Sequence, residues 1–182
     1  KLSKLDFSYV LAKYYFNRGI PDEKWKVELD NGTTCFFPNL RSIEDRTNLF
    51  LFRYAAENFY YHYTSSSDIV YQLLNSYFGL GIESKYKFNS KVVKKLDNEY
   101  INKGLKEFNK KTEEFRLDRN NLAHNFPFYE IDIRSERQVD NGKGVISVGV
   151  YKYTPSKQVI KNIEDALKPL ADLLDVLKQE LS

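Results

Sequence analysis

The chain has almost no cysteine and almost no histidine, and each scarcity closes off a class of chemistry. A single cysteine, Cys35, cannot form an internal disulfide framework or a Cys-rich zinc site, and it suits a reducing compartment. The two histidines, His62 and His124, stand far apart and in no HxH or HxxxH pair, so a histidine-based metal centre is not expected. Any catalysis is expected to run without metal or cofactor. No run approaches the roughly 18 consecutive apolar residues of a membrane span. The first residues, Lys1-Leu2-Ser3-Lys4-Leu5-Asp6, alternate in polarity instead of building a signal-peptide core, so a cytoplasmic location away from membranes is expected. Gly79-Leu80-Gly81 lacks the strand-to-helix context of a phosphate-binding glycine loop.

What is present is a core. Of 182 residues, 42% are hydrophobic and 15% aromatic, enough for one domain spanning 1–182, and no repeat or linker divides it. Leu2, Leu5, Tyr9, Ala12 and Phe16 step by three and four, predicting a first amphipathic helix stopped at Gly19-Ile20-Pro21. Trp25, Val27 and Leu29 then alternate with charged residues ahead of Asn31-Gly32, predicting a two-residue hairpin in which Val27 faces Phe36 and Leu29 faces Thr34. Residues 1–39 are expected to be an accessory to a bundle over 40–182. From Leu40 to Tyr63 the chain is apolar on nearly all sides, as in a central helix, and Ser65-Ser66-Ser67-Asp68 is expected to cap the next one. Arg46, Arg53 and Glu57 mark a polar stripe on the central helix, read either as an Arg53–Glu57 ion pair or as support for a site. A long helix from about Ser90 to Leu122 follows. Tyr129–Arg134 and Val145–Tyr153 are expected to pair as a second hairpin within 128–153. Ser156 is expected to cap a last helix with apolar residues from Ile160 to Leu181.

Net charge is only +3, but it is unevenly spread. Between Lys85 and Arg119 there are eleven Lys/Arg against six Asp/Glu, so a basic helix leads towards the segment 119–124. A phosphate backbone would follow such a stripe, with Lys110, Lys111 and Arg116 nearest the segment as candidate substrate-binding residues. A solvated face of Lys/Glu pairs would read the same way.

That segment reads Arg119-Asn120-Asn121-Leu122-Ala123-His124, shortly before Pro127. Ile101, Leu105, Phe108, Thr112, Phe115, Arg119 and Leu122 follow at spacings of four and three, so Arg119 interrupts an otherwise mostly apolar seam. Burying a guanidinium there costs several kcal/mol in order of magnitude unless it is paired or faces a polar cleft. Packing alone would select leucine. Asn120 and His124 share a face at i,i+4, and the long side chain of Arg119 can reach towards them. A fixed cation with a planar donor fork, a neutral amide and an imidazole that titrates near neutrality suit an anionic phosphate ester.

Arg119, Asn120 and His124, with four residues between Arg and His at the end of a helix, resemble the Rx4-6H signature of HEPN domains. The resemblance covers roughly residues 40–182, and it implies a mainly α fold, a four- to five-helix bundle with one or two accessory β-hairpins. It further implies a metal-independent endoribonuclease of toxin or defence type. In that chemistry the 2′-OH of the RNA attacks the adjacent phosphate, with Arg119, Asn120 and His124 catalytic. The implied partners are RNA, a second copy in a homodimer, and a nucleotidyltransferase-type antitoxin. Some HEPN toxins carry a Tyr two residues after the motif His, where this chain has Phe126, which departs from regulation through that position. Two other readings remain open: a non-catalytic nucleotide- or protein-binding module, and a structural helical dimerisation domain with Arg119 in an ion pair.

Overall fold

A computed structural model describes residues 1–28, 30–31, 34–36, 40, 42–124, 127–130, 136–140, 143–147 and 153–182. Among these the chain is mainly helical. The six helices are α1 (Leu2–Asn17), α2 (Ile43–Tyr77), α3 (Phe88–Lys95), α4 (Glu99–Lys111), α5 (Glu113–His124) and α6 (Ser156–Leu181). Two small antiparallel hairpins accompany them, β1 (Lys26–Glu28) with β2 (Thr34–Phe36), and β3 (Glu136–Asp140) with β4 (Lys143–Ser147).

The central helix is one element where the sequence predicted two. It starts at a capping box, in which Ser42 Oγ accepts from Asp45 N at 3.0 Å while Asp45 Oδ2 accepts from Ser42 N at 3.0 Å. It then runs straight through Ser65–Asp68. Hydroxyls in this stretch bond back to carbonyls of the same helix, Thr64 Oγ1 to Tyr60 O at 3.1 Å and Ser67 Oγ to Thr64 O at 2.8 Å, while Ser66 Oγ is buried without a partner among the described residues. Ser66 and Ser67 are buried, so tertiary packing overrides their local preference. The helix ends where Gly79 and Gly81 take positive φ of 57° and 64°, conformations that cost residues with a Cβ.

The predicted helix Ser90–Leu122 is three helices. Asn98 breaks it first by capping α4, its side chain accepting from Ile101 N at 2.9 Å, while Asn102 Nδ2 donates to Leu96 O at 2.8 Å. Thr112 breaks it again, with φ −109° and ψ 10° and its Oγ1 donating to Phe108 O at 2.8 Å. The apolar seam nevertheless carries on from α4 into α5, with Arg119 as its one charged member. Ile101, Leu105, Phe108, Thr112, Phe115 and Leu122 are all buried. Gly104 lets α4 lie close to α6, since a Cβ there would meet Val176 Cγ1 at 3.4 Å.

The hairpins also shift. Lys26 pairs with Phe36, Val27 with Cys35 and Glu28 with Thr34, one residue away from the predicted register. That register leaves an odd number of residues between the paired Glu28 and Thr34, where a two-residue loop requires an even one. In the second hairpin Asp140 pairs with Lys143, and the described part of its second strand, Lys143–Ser147, overlaps the predicted Val145–Tyr153 at 145–147. Tyr129 is instead held in a turn, where Glu130 N donates to Pro127 O at 3.0 Å. Residues 131–134, 148–152 and Phe126 lie outside the described residues.

The N-terminal residues are built into the core. Leu5 and Ala12 of α1 are buried, and Tyr9 and Phe16 set their rings 6.5 and 6.0 Å from Phe59 and Phe52 of α2. Asp22, 1% exposed, accepts hydrogen bonds from Tyr153 Oη (2.6 Å), Ser156 N (2.9 Å) and Ser156 Oγ (2.7 Å). A carboxylate from the other end of the chain thereby satisfies a free N–H at the start of α6 and complements its dipole. Pro155 occupies the N-cap position and Ser156 is the first helical residue, one place away from the prediction.

Candidate functional site

The motif helix is fixed by aromatic packing. Phe115 stacks parallel on Tyr60 at 4.0 Å and lies 4.7 and 5.9 Å from the rings of Tyr63 and Phe59. Each such pair contributes about 0.5–1.5 kcal/mol beyond area burial, and Leu122 anchors the other end of α5. Arg119 falls between these two anchors on the same face and is the half-buried member of the buried seam.

Tyr61 makes that position tolerable. The guanidinium carbon of Arg119 lies 5.7 Å from the centre of the Tyr61 ring, a cation–π contact, and Nη1 donates to Asn120 Oδ1 at 3.2 Å. Nε is buried without a partner among the described residues. Arg119 and Asn120 are thus joined, and His124, exposed, is the last residue of α5, one turn beyond Asn120. The guanidinium is oriented by one ring and one amide, which leaves it donors for an anion's oxygens.

Of the three flanking basic residues, Arg116 lies one turn before Arg119 and Asn120 and donates Nη1 to Asn109 Oδ1 at 2.9 Å. Lys110 and Lys111 lie across the Thr112 break at the end of α4, both exposed. Lys111 turns to α6, where it pairs with Asp172 at 3.7 Å.

Carboxylates line a cavity beside α5, together with Lys111 and Phe115. Asp118 lines a small cavity of about 130 Å³ with Glu114, Asn162 and Asp165. Burial, and then the charge of Glu114, raise its carboxyl from 3.8 to about 6. The hydroxyl of Tyr60 is buried and lacks a partner of good hydrogen-bond geometry among the described residues, although Asp118 and Asn162 are the groups that face it.

Arg53 and Glu57 meet on Tyr129 instead of on each other, among the described contacts. Arg53 Nη2 donates to Tyr129 O at 2.5 Å and to Tyr153 Oη at 3.3 Å, and Tyr129 Oη donates to Glu57 Oε2 at 3.4 Å. The rings of Tyr129 and Tyr153 lie 5.3 and 5.8 Å from the guanidinium carbon. Arg53 therefore clamps the turn that follows the motif to the start of α6.

Sequence reasoning missed Tyr61 and Asp22. Tyr61 sits in an aromatic run that reads as core, yet it is half-buried; its place seven residues after the exposed Tyr54 is the signal that marks the outward face. Asp22 carries no signal, because its partners lie more than 130 residues away.

Among the described residues no group of three or more His, Cys, Asp and Glu is arranged to hold a metal, and no helix is long and apolar enough to cross a membrane. Comparison with protein families matches the HEPN_Cthe2314-like HEPN family over residues 1–181, so the likeness begins at the first helix and not near residue 40. No curated protein and no solved structure matches the chain.

Proposed function

Because the chain belongs to the HEPN family, we propose that residues 1–182 form one HEPN domain and that it is a metal-independent endoribonuclease of toxin or defence type. The observation that carries this reading is Arg119. It occupies a seam position that packing would give to leucine, and it is held on Tyr61 and Asn120 in the helix that ends at the exposed His124.

In the proposed reaction the 2′-OH of the RNA attacks the neighbouring phosphorus, forming the O2′–P bond as the P–O5′ bond breaks. The products are a 2′,3′-cyclic phosphate and a 5′-OH, and no water is consumed. His124 takes the 2′-OH proton as general base. Arg119 binds the non-bridging oxygens and stabilises their charge in the transition state, while Asn120 holds the guanidinium in place. Protonating the departing 5′-oxygen calls for a second imidazole, so the active form is a homodimer in which two His124 residues share a cleft. Arg116 and Lys110 extend the phosphate-binding surface. Lys111 belongs to it less directly, because Asp172 engages it. For a toxin, the implied partner is a nucleotidyltransferase-type antitoxin, although Phe126 removes the Tyr that some such partners modify.

The test is cleavage of RNA in EDTA, with a matched substrate carrying one 2′-deoxy nucleotide on the 5′ side of the cut. Persistence in chelator and resistance of the deoxy linkage are expected. Cutting of the deoxy linkage, or activity that needs added magnesium, overturns the mechanism. RNA binding with no cleavage under any condition favours a non-catalytic binding module.

A further inference from the structure

Beside the motif, on the other flank of Tyr61's helix face, lies a cleft that the nuclease reading does not use. It encloses about 360 Å³ between α1 and the middle of α2, and its lining includes Lys4, Phe7, Leu11, Tyr54, Asn58 and His62. Phe7 is 65% exposed and Tyr54 58%. Two large aromatic side chains that border one cavity and stay mostly exposed cost the free protein apolar hydration, which asks for a reason.

The chemistry of the walls narrows the occupant. Aromatic faces on both helices suit a flat π system. Asn58 donates its Nδ2 to Tyr54 O at 2.8 Å, so its Oδ1 remains an acceptor for an N–H edge. His62 has its proton affinity lowered by burial, then by the charges of Lys4 and Lys1. This favours its neutral form, which can both donate and accept, and the same cations add positive charge to the cleft. Stacking faces, base-edge groups and positive charge together fit a nucleobase with its phosphate better than an apolar peptide. By contrast, the larger groove of about 610 Å³ between α1, α2 and α6 is lined mostly by aliphatic residues and has no aromatic one.

Position supplies the second argument. Tyr54 and Tyr61 lie on one face of α2, seven residues and so about 10 Å apart along the axis, and Tyr61 is the ring beneath Arg119. That spacing corresponds to about three stacked nucleotide steps of roughly 3.4 Å. We propose that the α1/α2 cleft is a nucleobase subsite, in which Phe7 and Tyr54 grip one base of single-stranded RNA a few nucleotides from the phosphate at Arg119. The proposal rests on the nuclease reading for its substrate.

The experiment uses the full chain with His124→Ala, to prevent cleavage, and a fluorescein-labelled single-stranded RNA titrated by anisotropy. Adding Phe7→Ala and Tyr54→Ala should weaken binding about 10- to 100-fold with an unchanged melting temperature, since both side chains are exposed. Tyr54→Phe should retain affinity. An RNA with one abasic position should lose affinity for the parent but lose no more for the double variant. In the cleavage-competent background the same pair should raise KM and spare kcat. Equal RNA affinity for parent and double variant, or an unchanged KM, overturns the subsite and leaves the nuclease standing. If wild type neither binds nor cuts RNA, the reading beneath it falls as well. A double variant that turns a dimer into a monomer in sedimentation while keeping its RNA affinity marks the cleft as a protein interface and overturns the proposal.

Discussion

Arg53 and Arg119 both rest on tyrosine rings, as Arg18 rests on Tyr14, but the first two are held in opposite ways. Arg53 touches two rings, a carbonyl and a hydroxyl, all supplied by segments far away in the chain. Arg119 touches one ring and the amide of its immediate neighbour. Both leave a buried Nε unpartnered among the described residues. The difference lies in what the contacts join: those of Arg53 tie three parts of the fold together, whereas among the described residues Arg119 contacts its own helix and α2. A guanidinium that completes internal contacts is structural. One that is oriented but left incomplete is suited to an external anion.

The largest expected effect sharpens this contrast through activity. Arg119→Ala and His124→Ala should each lower RNA cleavage by roughly 10²–10³-fold while the melting temperature stays near that of wild type. Arg119→Leu should be as stable as wild type or more so, because the seam then becomes continuous. A clear loss of stability in Arg119→Leu would place both arginines in the same structural class.

Next in size is the loss of the clamp. Arg53→Ala leaves the carbonyl of Tyr129 and the hydroxyl of Tyr153 without that donor and removes two cation–π contacts, so unfolding free energy should fall by about 2–4 kcal/mol in a urea titration. Asp22→Ala exposes the same network from its other end, leaving Ser156 N, Ser156 Oγ and Tyr153 Oη without their shared acceptor. A loss of about 2–3 kcal/mol is expected. Near-wild-type stability for either variant would break the comparison from the structural side.

A smaller effect tests the cavity beside the motif helix. The carboxyl of Asp118 titrates at about 6 in the fold, against about 3.9 in an unfolded chain. The fold therefore favours the protonated form. The associated stability is complete below pH ~4 and is lost as pH rises through about 6. Asp118→Asn should accordingly stabilise the protein by about 1 kcal/mol at pH 7.5, after allowance for solvent screening, and by much less at pH 4. Thermal melts across that range check the sign, and a constant difference between pH 4 and pH 7.5 would remove the assigned cause. Smallest of all, Arg116→Ala should weaken RNA binding only a few-fold and reduce the salt slope of log K by about one.

Much of the candidate site was legible because its signal is local. A cation on an i, i+3/i+4 apolar seam can be read from residues 101 to 122 alone, and that seam survives the break at Thr112 because both helices bury the same stripe. The extra helix breaks were less legible. Asn98 and Thr112 carry cap and β-branched character, but whether those tendencies end a helix depends on what it packs against. Ser65–Asp68 shows the reverse outcome, where an equally good cap signal is overruled inside α2.

What the sequence by itself determined is therefore the helical class, the amphipathic faces and the placement of Arg119, Asn120 and His124 at the end of one helix, since these depend on periodicities of three to four residues. Only the tertiary structure decided that Tyr61 lies under Arg119, that Asp22 closes the start of α6, and that Arg53 holds Tyr129 in a turn and not in a strand. Each of these joins residues separated by tens to more than a hundred positions. The contact is selected by burial, hydrogen-bond satisfaction and shape in the folded chain, and no local pattern encodes such a meeting.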